Sequence, residues 1–511
     1  MAGILSIISE KGEIQSCEIP IAECSSLLQH RGEKEHFTLN YSDVILVIYG
    51  NQKDLFPNVI YMDKKTGAFL ALDGQIYNGE FLKQKYKLTT RNPIIPFKNN
   101  YAEILLRGYL INKIDFFKDV IGSFSGILWD GEQLVGFKDP VGAKPLYYCQ
   151  KPHFIAYASE LKVLAPLRGP ILPIDPGTLR FSKEGQVKYF DFKIPPPSAV
   201  KPEPEDSYAK QVNFLIRKAV LDNIRPSEKV AALLSGGIDS TIVTSIAKDR
   251  VKDLHVYSIG VEGSRDLHFA ESYAQEHNLL HTVVKIAIED LLAVIPSVVT
   301  TLETFDAALI RSAVPMFILS KRIHEEENPD VLLTGEGGDE LFGGYDYLKD
   351  LKNPESFNQE LINLLEIEHK TGLQRVDRIP YHFSIEARAP LFDQRLVDFA
   401  LQIPPDLKIK EINNKKIEKY ILRKAFETEL PREIVWREKE KFSKGVGSQF
   451  LLRDHFQGVI SDMEFDSERH ITPFLHLRSK EELHYWRIFE ATFHPVRETI
   501  ANIGLTSTYE V

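Results

Sequence analysis

Leu233-Leu234-Ser235-Gly236-Gly237-Ile238-Asp239-Ser240 carries an apolar run into a Ser/Gly turn, and Thr241-Ile242-Val243-Thr244-Ser245-Ile246-Ala247 reads on from it as a helix. A strand ending in small residues at a helix N-terminus presents backbone N–H groups and the positive end of the helix dipole, which favour an anion. Asp239 in the same turn is placed to hold a divalent cation beside that anion. The segment therefore predicts a loop that grips nucleotide phosphates, with Ser235, Gly236, Gly237, Asp239 and Ser240 around them.

Strands alternate with helices around this turn. Val230 to Leu234, Leu254 to Ile259, His281 to Val284 and Val331 to Thr334 are apolar strand candidates, and Ser207 to Asn223 and Leu267 to His277 have helical patterns. That rhythm predicts a parallel sheet with its site at the carboxyl ends of the strands. From about Asn353 onward the chain reads mostly as helix. The last strand candidate runs into a second glycine-dense loop, Thr334-Gly335-Glu336-Gly337-Gly338-Asp339-Glu340. Glycines let a backbone approach a ligand closely. Carboxylates beside a phosphate loop are costly unless a metal or a cationic substrate balances them. Asp239 and Asp339 thus form a candidate Mg2+ pair, and Glu336 a candidate for orienting an incoming amine or taking its proton. A solvated acidic turn is the plainer reading, but it leaves the glycines and the apolar strand before them unexplained.

The chain has 511 residues, too many for one typical core. A Pro-rich linker, 194–206, separates an expected domain at 1–193 from another at 207–511. In the first half, short strand-like runs dominate (Val44 to Tyr49, Ala68 to Leu72, Ser125 to Trp129, Phe154 to Ala158), with Ala102 to Ile111 among the few helices. This predicts an α+β domain of stacked antiparallel sheets. Lys+Arg at 62 against Asp+Glu at 72 gives a net charge of −10, which argues against a nucleic-acid partner. No apolar stretch reaches the roughly 20 residues of a membrane span. Three cysteines without metal-type spacing, and an N-terminus without a basic signal region, make the cytoplasm the expected location. Small molecules are the expected partners, and a homodimer is left open.

Other features carry less. Trp436-Arg437-Glu438-Lys439-Glu440-Lys441-Phe442-Ser443 is either a charged surface segment or the source of a lysine that stabilises charge at phosphorus. His30 reads as a packing or hydrogen-bonded histidine. The basic run Lys408-Ile409-Lys410 through Lys415-Lys416 and Lys419 reads as a solvated loop and helix face. Arg311 and Arg388 each offer a planar fork for carboxylate or phosphate, with structural pairing as the alternative, favoured for Arg388.

Over nearly its whole length the chain resembles the glutamine-dependent asparagine synthetases of the class B type. The resemblance rests on Ser235–Ser240, Thr334–Tyr345, Lys439 in Glu-Lys-Glu-Lys-Phe-Ser, Glu303-Thr304-Phe305-Asp306 with Ile310-Arg311, Glu386–Asp393, and Tyr485–Glu490. It implies an Ntn-type class II amidotransferase sandwich (αββα), followed by a Rossmann-like ATP-pyrophosphatase domain. It implies ATP and Mg2+ as cofactors, adenylation of an aspartate side chain with release of pyrophosphate, and attack by ammonia to give asparagine and AMP. By position it assigns adenylation to Lys439, catalysis and substrate to Glu336, and substrate binding to Asp339 and Arg311. ATP contacts fall to Leu234, Ile259, Thr334 and Gly335.

One departure is decisive. The family's glutaminase nucleophile is the cysteine after the initiator Met, whereas this chain has Ala2, and a methyl group cannot attack an amide. The family's Asn-Gly-Glu triplet is Asp73-Gly74-Gln75 here. Its glutamine-binding arginine falls near Tyr49, and its acidic Gly-Ser-Asp-Cys-Glu stretch is Asn99-Asn100-Tyr101-Ala102-Glu103. Scaffold motifs persist at His30-Arg31-Gly32, Ile76-Tyr77-Asn78, Asp139-Pro140-Val141-Gly142 and Pro145-Leu146-Tyr147. The expectation is a domain kept for structure after its glutaminase chemistry was lost. Asparagine formation is the favoured reading. Ring closure by an intramolecular amine, as in β-lactam synthetases or peptide-cyclising ligases, and a silent scaffold are the alternatives. Retention of Asp239, Glu336, Asp339 and Lys439 speaks against the scaffold.

Overall fold

The computed structural model describes residues 2–9, 19–32, 35–41, 43–50, 59–88, 100–195, 203–351, 353–437, 442–496, 499–500, 503 and 505. The chain divides into two compact units: Met1–Asp191 with Glu490–Ile503, and Phe192–Phe489 with Gly504–Val511. Residues 490–503 thus depart from the expected 207–511 division. Thr499 Oγ1 accepts the Ile171 N–H at 3.0 Å, which ties this segment into the first unit.

Among the described residues of the first unit, twelve strands make two six-stranded sheets. They are β1 (Ala2–Ser9), β2 (Glu35–Tyr41), β3 (Val44–Gly50), β4 (Ile60–Met62), β5 (Phe69–Ile76), β6 (Gly122–Trp129), β7 (Leu134–Lys138), β8 (Tyr147–Lys151), β9 (Phe154–Ala158), β10 (Ile171–Pro173), β11 (Thr178–Phe181) and β12 (Gly185–Lys188). The orders are β10-β8-β9-β1-β3-β2 and β12-β11-β7-β6-β5-β4, with antiparallel pairing throughout. Alternation sorts the side chains into layers. Phe69 and Ala71 face an inter-sheet core with Ala2, Ile4, Leu46, Ile48 and Ile127. Their neighbours Leu70 and Leu72 face a second core with Ile104, Leu105, Tyr109, Phe116 and Phe117 of helix α1 (Tyr101–Phe117). Asn100 caps that helix, accepting the Glu103 N–H at 3.0 Å. The stretch that departs from the family motif is therefore a helix start here, although Asn99 itself lies outside the described residues.

The second unit is built on five parallel strands: β13 (Val230–Leu233), β14 (His255–Gly260), β15 (Leu280–Lys285), β16 (Val331–Leu333) and β17 (Glu386–Arg388), in the order β15-β14-β13-β16-β17. The central β13 and β16 are short and almost wholly buried, as expected of strands covered on both faces. Helices α2 (Glu205–Asp222), α3 (Ile238–Lys248), α4 (Arg265–Glu276), α5 (Ile288–Leu302) and α6 (Ala307–Glu326) supply much of the cover. β17 is an addition to the sequence expectation, which read this region as helical. Strand order reverses between β13 and β16, and in an open α/β sheet that switch point opens a crevice at the carboxyl ends. No single described helix is long and apolar enough to cross a membrane.

Candidate active site

The two glycine-rich loops leave β13 and β16 side by side. In the first, Ser240 Oγ accepts the Ser235 N–H at 3.1 Å and lies 2.9 Å from Ser235 Oγ, closing the turn on itself. Gly236 takes φ +72°, and a Cβ there would stand 2.6 Å from the Asp266 carbonyl oxygen. Gly237 caps α3 without a side-chain hydrogen bond, and the helix start it forms with Ile238, Asp239 and Ser240 lines the crevice. The second loop packs on the first. A Cβ on Gly335 would lie 2.6 Å from the Ser240 nitrogen, and one on Gly338 would lie 2.2 Å from Asp239 Oδ1. These glycines are what allow the loops to meet.

Between them is a cavity of about 190 Å³. Of the residues expected at the nucleotide, Leu234, Ser235, Gly237, Asp239, Ser240, Ile259, Thr334 and Gly335 line it, together with Glu336 and Asp339. Gly236 supports the turn from behind. Thr334 Oγ1 is buried at the cavity with no hydrogen-bond partner among the described residues, a polar atom suited to a ligand. Lys439 lies outside the described residues. Arg437 and Ser443, on either side of it, line the cavity, and Arg437 is held by Asp266 at 2.6 Å.

Lys419 and Arg375 were not expected here, and no role was expected for Glu340. Lys419, read from sequence as part of a solvated basic face, is buried on the cavity wall, with Nζ 2.5 Å from Asp239 Oδ2 and 2.5 Å from Asp339 Oδ1. Burial alone would lower its basicity, but the two carboxylates more than offset that and hold the ammonium firmly protonated. Lys408, in the same run, is also fully buried. Both corrections have one cause: burial comes from segments distant in sequence, as Asp239, Asp339 and Phe342 show for Lys419, and a local charge pattern does not reveal them. Arg375, on helix α7 (Gly372–Tyr381), donates to Glu336 Oε1 and to Ser312 Oγ, each at 2.6 Å. Glu340 accepts the Tyr345 hydroxyl. Burial, then the adjacent Asp339 carboxylate, pushes its carboxyl up to about 7. Ser312, Glu336, Glu340, Tyr345, Glu368 and Arg375 line a second cavity of about 220 Å³ that shares Ser312, Glu336, Tyr345 and Arg375 with the first.

Arg311 is a correction of the opposite kind. Its guanidinium is buried against Glu481 Oε2, with Nε at 2.9 Å and Nη2 at 2.5 Å, and it does not line the first cavity. A buried charge needs a partner, and Glu481 supplies it 170 residues away. Arg388 is paired as favoured, with Glu228 at 2.7 Å and Glu386 at 2.9 Å.

In the first unit, buried charges surround Ala2. Asp73 Oδ1 accepts the Ala2 N–H at 2.9 Å, and Asp73 Oδ2 pairs with Arg31 Nη1 at 3.2 Å. Arg31 Nε also reaches Glu160, which meets His30 Nε2 at 3.0 Å. His30 is a structural histidine, its pKa lowered chiefly by burial.

Family comparison agrees with this division. The asparagine synthase model matches residues 211–365 and 349–487, and a glutamine amidotransferase domain model matches 57–166. The chain belongs to the asparagine synthase family. It is 29% identical over 527 residues to asparagine synthetase B [glutamine-hydrolyzing] of Escherichia coli (strain K12), covering 96% of this chain and 91% of that protein. It is 30% identical over 537 residues to a probable asparagine synthetase [glutamine-hydrolyzing] of Schizosaccharomyces pombe, covering 96% and 94%. A probable asparagine synthetase [glutamine-hydrolyzing] of Dictyostelium discoideum is 29% identical over 540 residues, covering 98% and 95%. The two glycine loops lie within the span matched by the asparagine synthase model, and Asp73 lies within the span matched by the amidotransferase model.

Proposed function

We propose that the chain is an ATP-dependent carbon–nitrogen ligase that forms asparagine from aspartate and ammonia, releasing AMP and pyrophosphate. The observation that carries this reading is the convergence of two glycine loops, two carboxylates and a lysine on one cavity at the strand switch point. The second cavity adjoins it through Ser312, Glu336, Tyr345 and Arg375.

The nucleotide lies in the first cavity, its phosphates against Ser235–Ser240 and its nucleoside near the backbone of Leu234 and Ile259. The second cavity takes a small amino acid: Arg375 suits its carboxylate and Glu340 its ammonium. The side-chain carboxylate oxygen attacks the α-phosphorus, the bond to the bridging oxygen breaks, and pyrophosphate leaves with the electron pair. Lys439 is assigned by family position to stabilise that charge. Ammonia then adds to the acyl carbon, the C–O bond to AMP breaks, and a proton passes from nitrogen to Glu336, which Arg375 holds at 2.6 Å.

Two hard oxygen donors gathered around a single cationic atom suit Mg2+, which commonly binds one or two carboxylates plus substrate phosphates. Asp239 and Asp339 would hold it, and it would neutralise charge on the pyrophosphate.

The nitrogen comes from free ammonium rather than glutamine, because Ala2 offers no nucleophile and Asp73 puts a carboxylate at its nitrogen. Incubation with ATP, Mg2+ and aspartate, with ammonium or with glutamine, tests the whole reading. AMP, pyrophosphate and asparagine with ammonium are the expected products, and glutamine alone yields none. ADP as the spent nucleotide would overturn it.

A further inference from the structure

Lys419 stands where the two expected metal-holding carboxylates meet. Its ammonium lies 2.5 Å from an oxygen of each, and its side chain is 1% exposed. The backbone is shaped to put it there. Lys419 has φ +55° and ψ +28°, a left-handed conformation that lysine rarely adopts, directly before helix α8 (Tyr420–Phe426), and its N–H is bound to the Phe342 carbonyl at 3.2 Å. Gly344 faces the same group: a Cβ there would lie 1.9 Å from Asp339 Oδ1 and 2.3 Å from Lys419 Cε. A left-handed lysine and an adjoining glycine together make this a built contact between two loops and a third segment, not a surface ion pair.

Charge counting gives the contact a consequence. Two carboxylates and one ammonium sum to −1. A dication added between them gives +1 and places a buried ammonium against it, which is unfavourable in a poorly hydrated wall. A triphosphate removes that obstacle by offering the ammonium new oxygens in the cavity that Lys419 already lines.

We infer that Lys419 is a resident counter-cation for the Asp239–Asp339 pair, released from at least one carboxylate when a divalent metal and a nucleoside triphosphate bind together. Metal and nucleotide are thereby coupled: either alone binds poorly, and each tightens the other. This rests on the ligase reading and adds to it the order in which its ligands are accepted.

The test uses the full chain without aspartate, so that no turnover occurs. Mn2+ binding is measured by electron paramagnetic resonance, alone and with ATP, in the wild type, K419M and K419R. K419M is expected to bind Mn2+ alone about tenfold more tightly than wild type and to lose about tenfold of the Mn2+–ATP coupling, while K419R stays near wild type in Mn2+ alone. Unchanged metal-only affinity and coupling in K419M, with ATP still bound, overturns the inference and leaves the ligase reading standing. Loss of nucleotide binding in the wild type brings down both. A crystal structure of the wild type with Mn2+ and α,β-methylene-ATP decides the matter even where the variants do not fold. Lys419 Nζ is expected to have left at least one carboxylate, and both contacts retained beside a bound metal overturns the inference.

Discussion

Ala2 and Asp73 are joined by a hydrogen bond of 2.9 Å from the backbone N–H of one to the carboxylate of the other, in a site where both residues are fully buried. Acyl transfer at residue 2 would build an oxyanion close by, and a fixed carboxylate repels it where a donor is needed. Two features thus count against glutaminase chemistry: residue 2 carries no thiol, and Asp73 puts a carboxylate at its nitrogen.

Restoring the thiol alone therefore leaves the domain inactive. A2C is expected to release glutamate from glutamine no faster than wild type. A2C/D73N is expected to exceed A2C by about 10²-fold, the scale of one corrected oxyanion contact. A coupled glutamate assay reads the difference, and equal rates in the two variants would show that Asp73 is not the obstacle.

Glu336 is held by Arg375 at the junction of the two cavities, so its removal should separate the two chemical steps. E336Q is expected to lower the kcat for ammonia-dependent asparagine formation by about 10²- to 10⁴-fold, the usual range for a positioned base. Aspartate-dependent ATP–pyrophosphate exchange, which needs only the first step, is expected to fall much less.

Arg311 tests structure rather than substrate binding. R311A leaves Glu481 charged and buried, at a cost of about 3–5 kcal/mol. Denaturant unfolding should register that loss. R311M/E481L, which removes both charges, should recover most of it.

Lys408 predicts a pH dependence. Its Nζ is buried with no partner among the described residues, and burial lowers its pKa from 10.5 to about 7. Between pH 7 and 10.5 the unfolded chain binds this proton and the folded chain does not, so stability from this group rises with pH through that window. Below pH 7 both states are protonated and the buried charge costs its full amount. K408M should flatten that slope and stabilise the protein at pH 6 by up to a few kcal/mol, as followed by urea unfolding across pH.

The two glycine loops were legible because their signal is local. Leu233–Ser240 and Thr334–Glu340 each place an apolar strand, glycines and a carboxylate within a few residues, and the requirements of backbone N–H groups and close approach act at that same scale. The antiparallel runs of the first half were visible for a similar reason, since alternation such as Phe69 to Leu72 marks two faces of one strand. Glu386–Arg388 was visible as a motif but not as a strand. Three residues are too few to show a period, and β16 alone makes them part of the sheet.

Sequence by itself thus determined what contiguous residues carry: a glycine turn opening a helix, an acidic glycine loop beside it and the absence of a thiol at position 2. Tertiary structure alone decided which charges meet. Lys419 reaches Asp239 across 180 positions and Arg311 reaches Glu481 across 170, one into the cavity and the other away from it. The physical reason is that a charged side chain is driven by the partner and the degree of burial that folding provides, and nothing in its immediate neighbours encodes either.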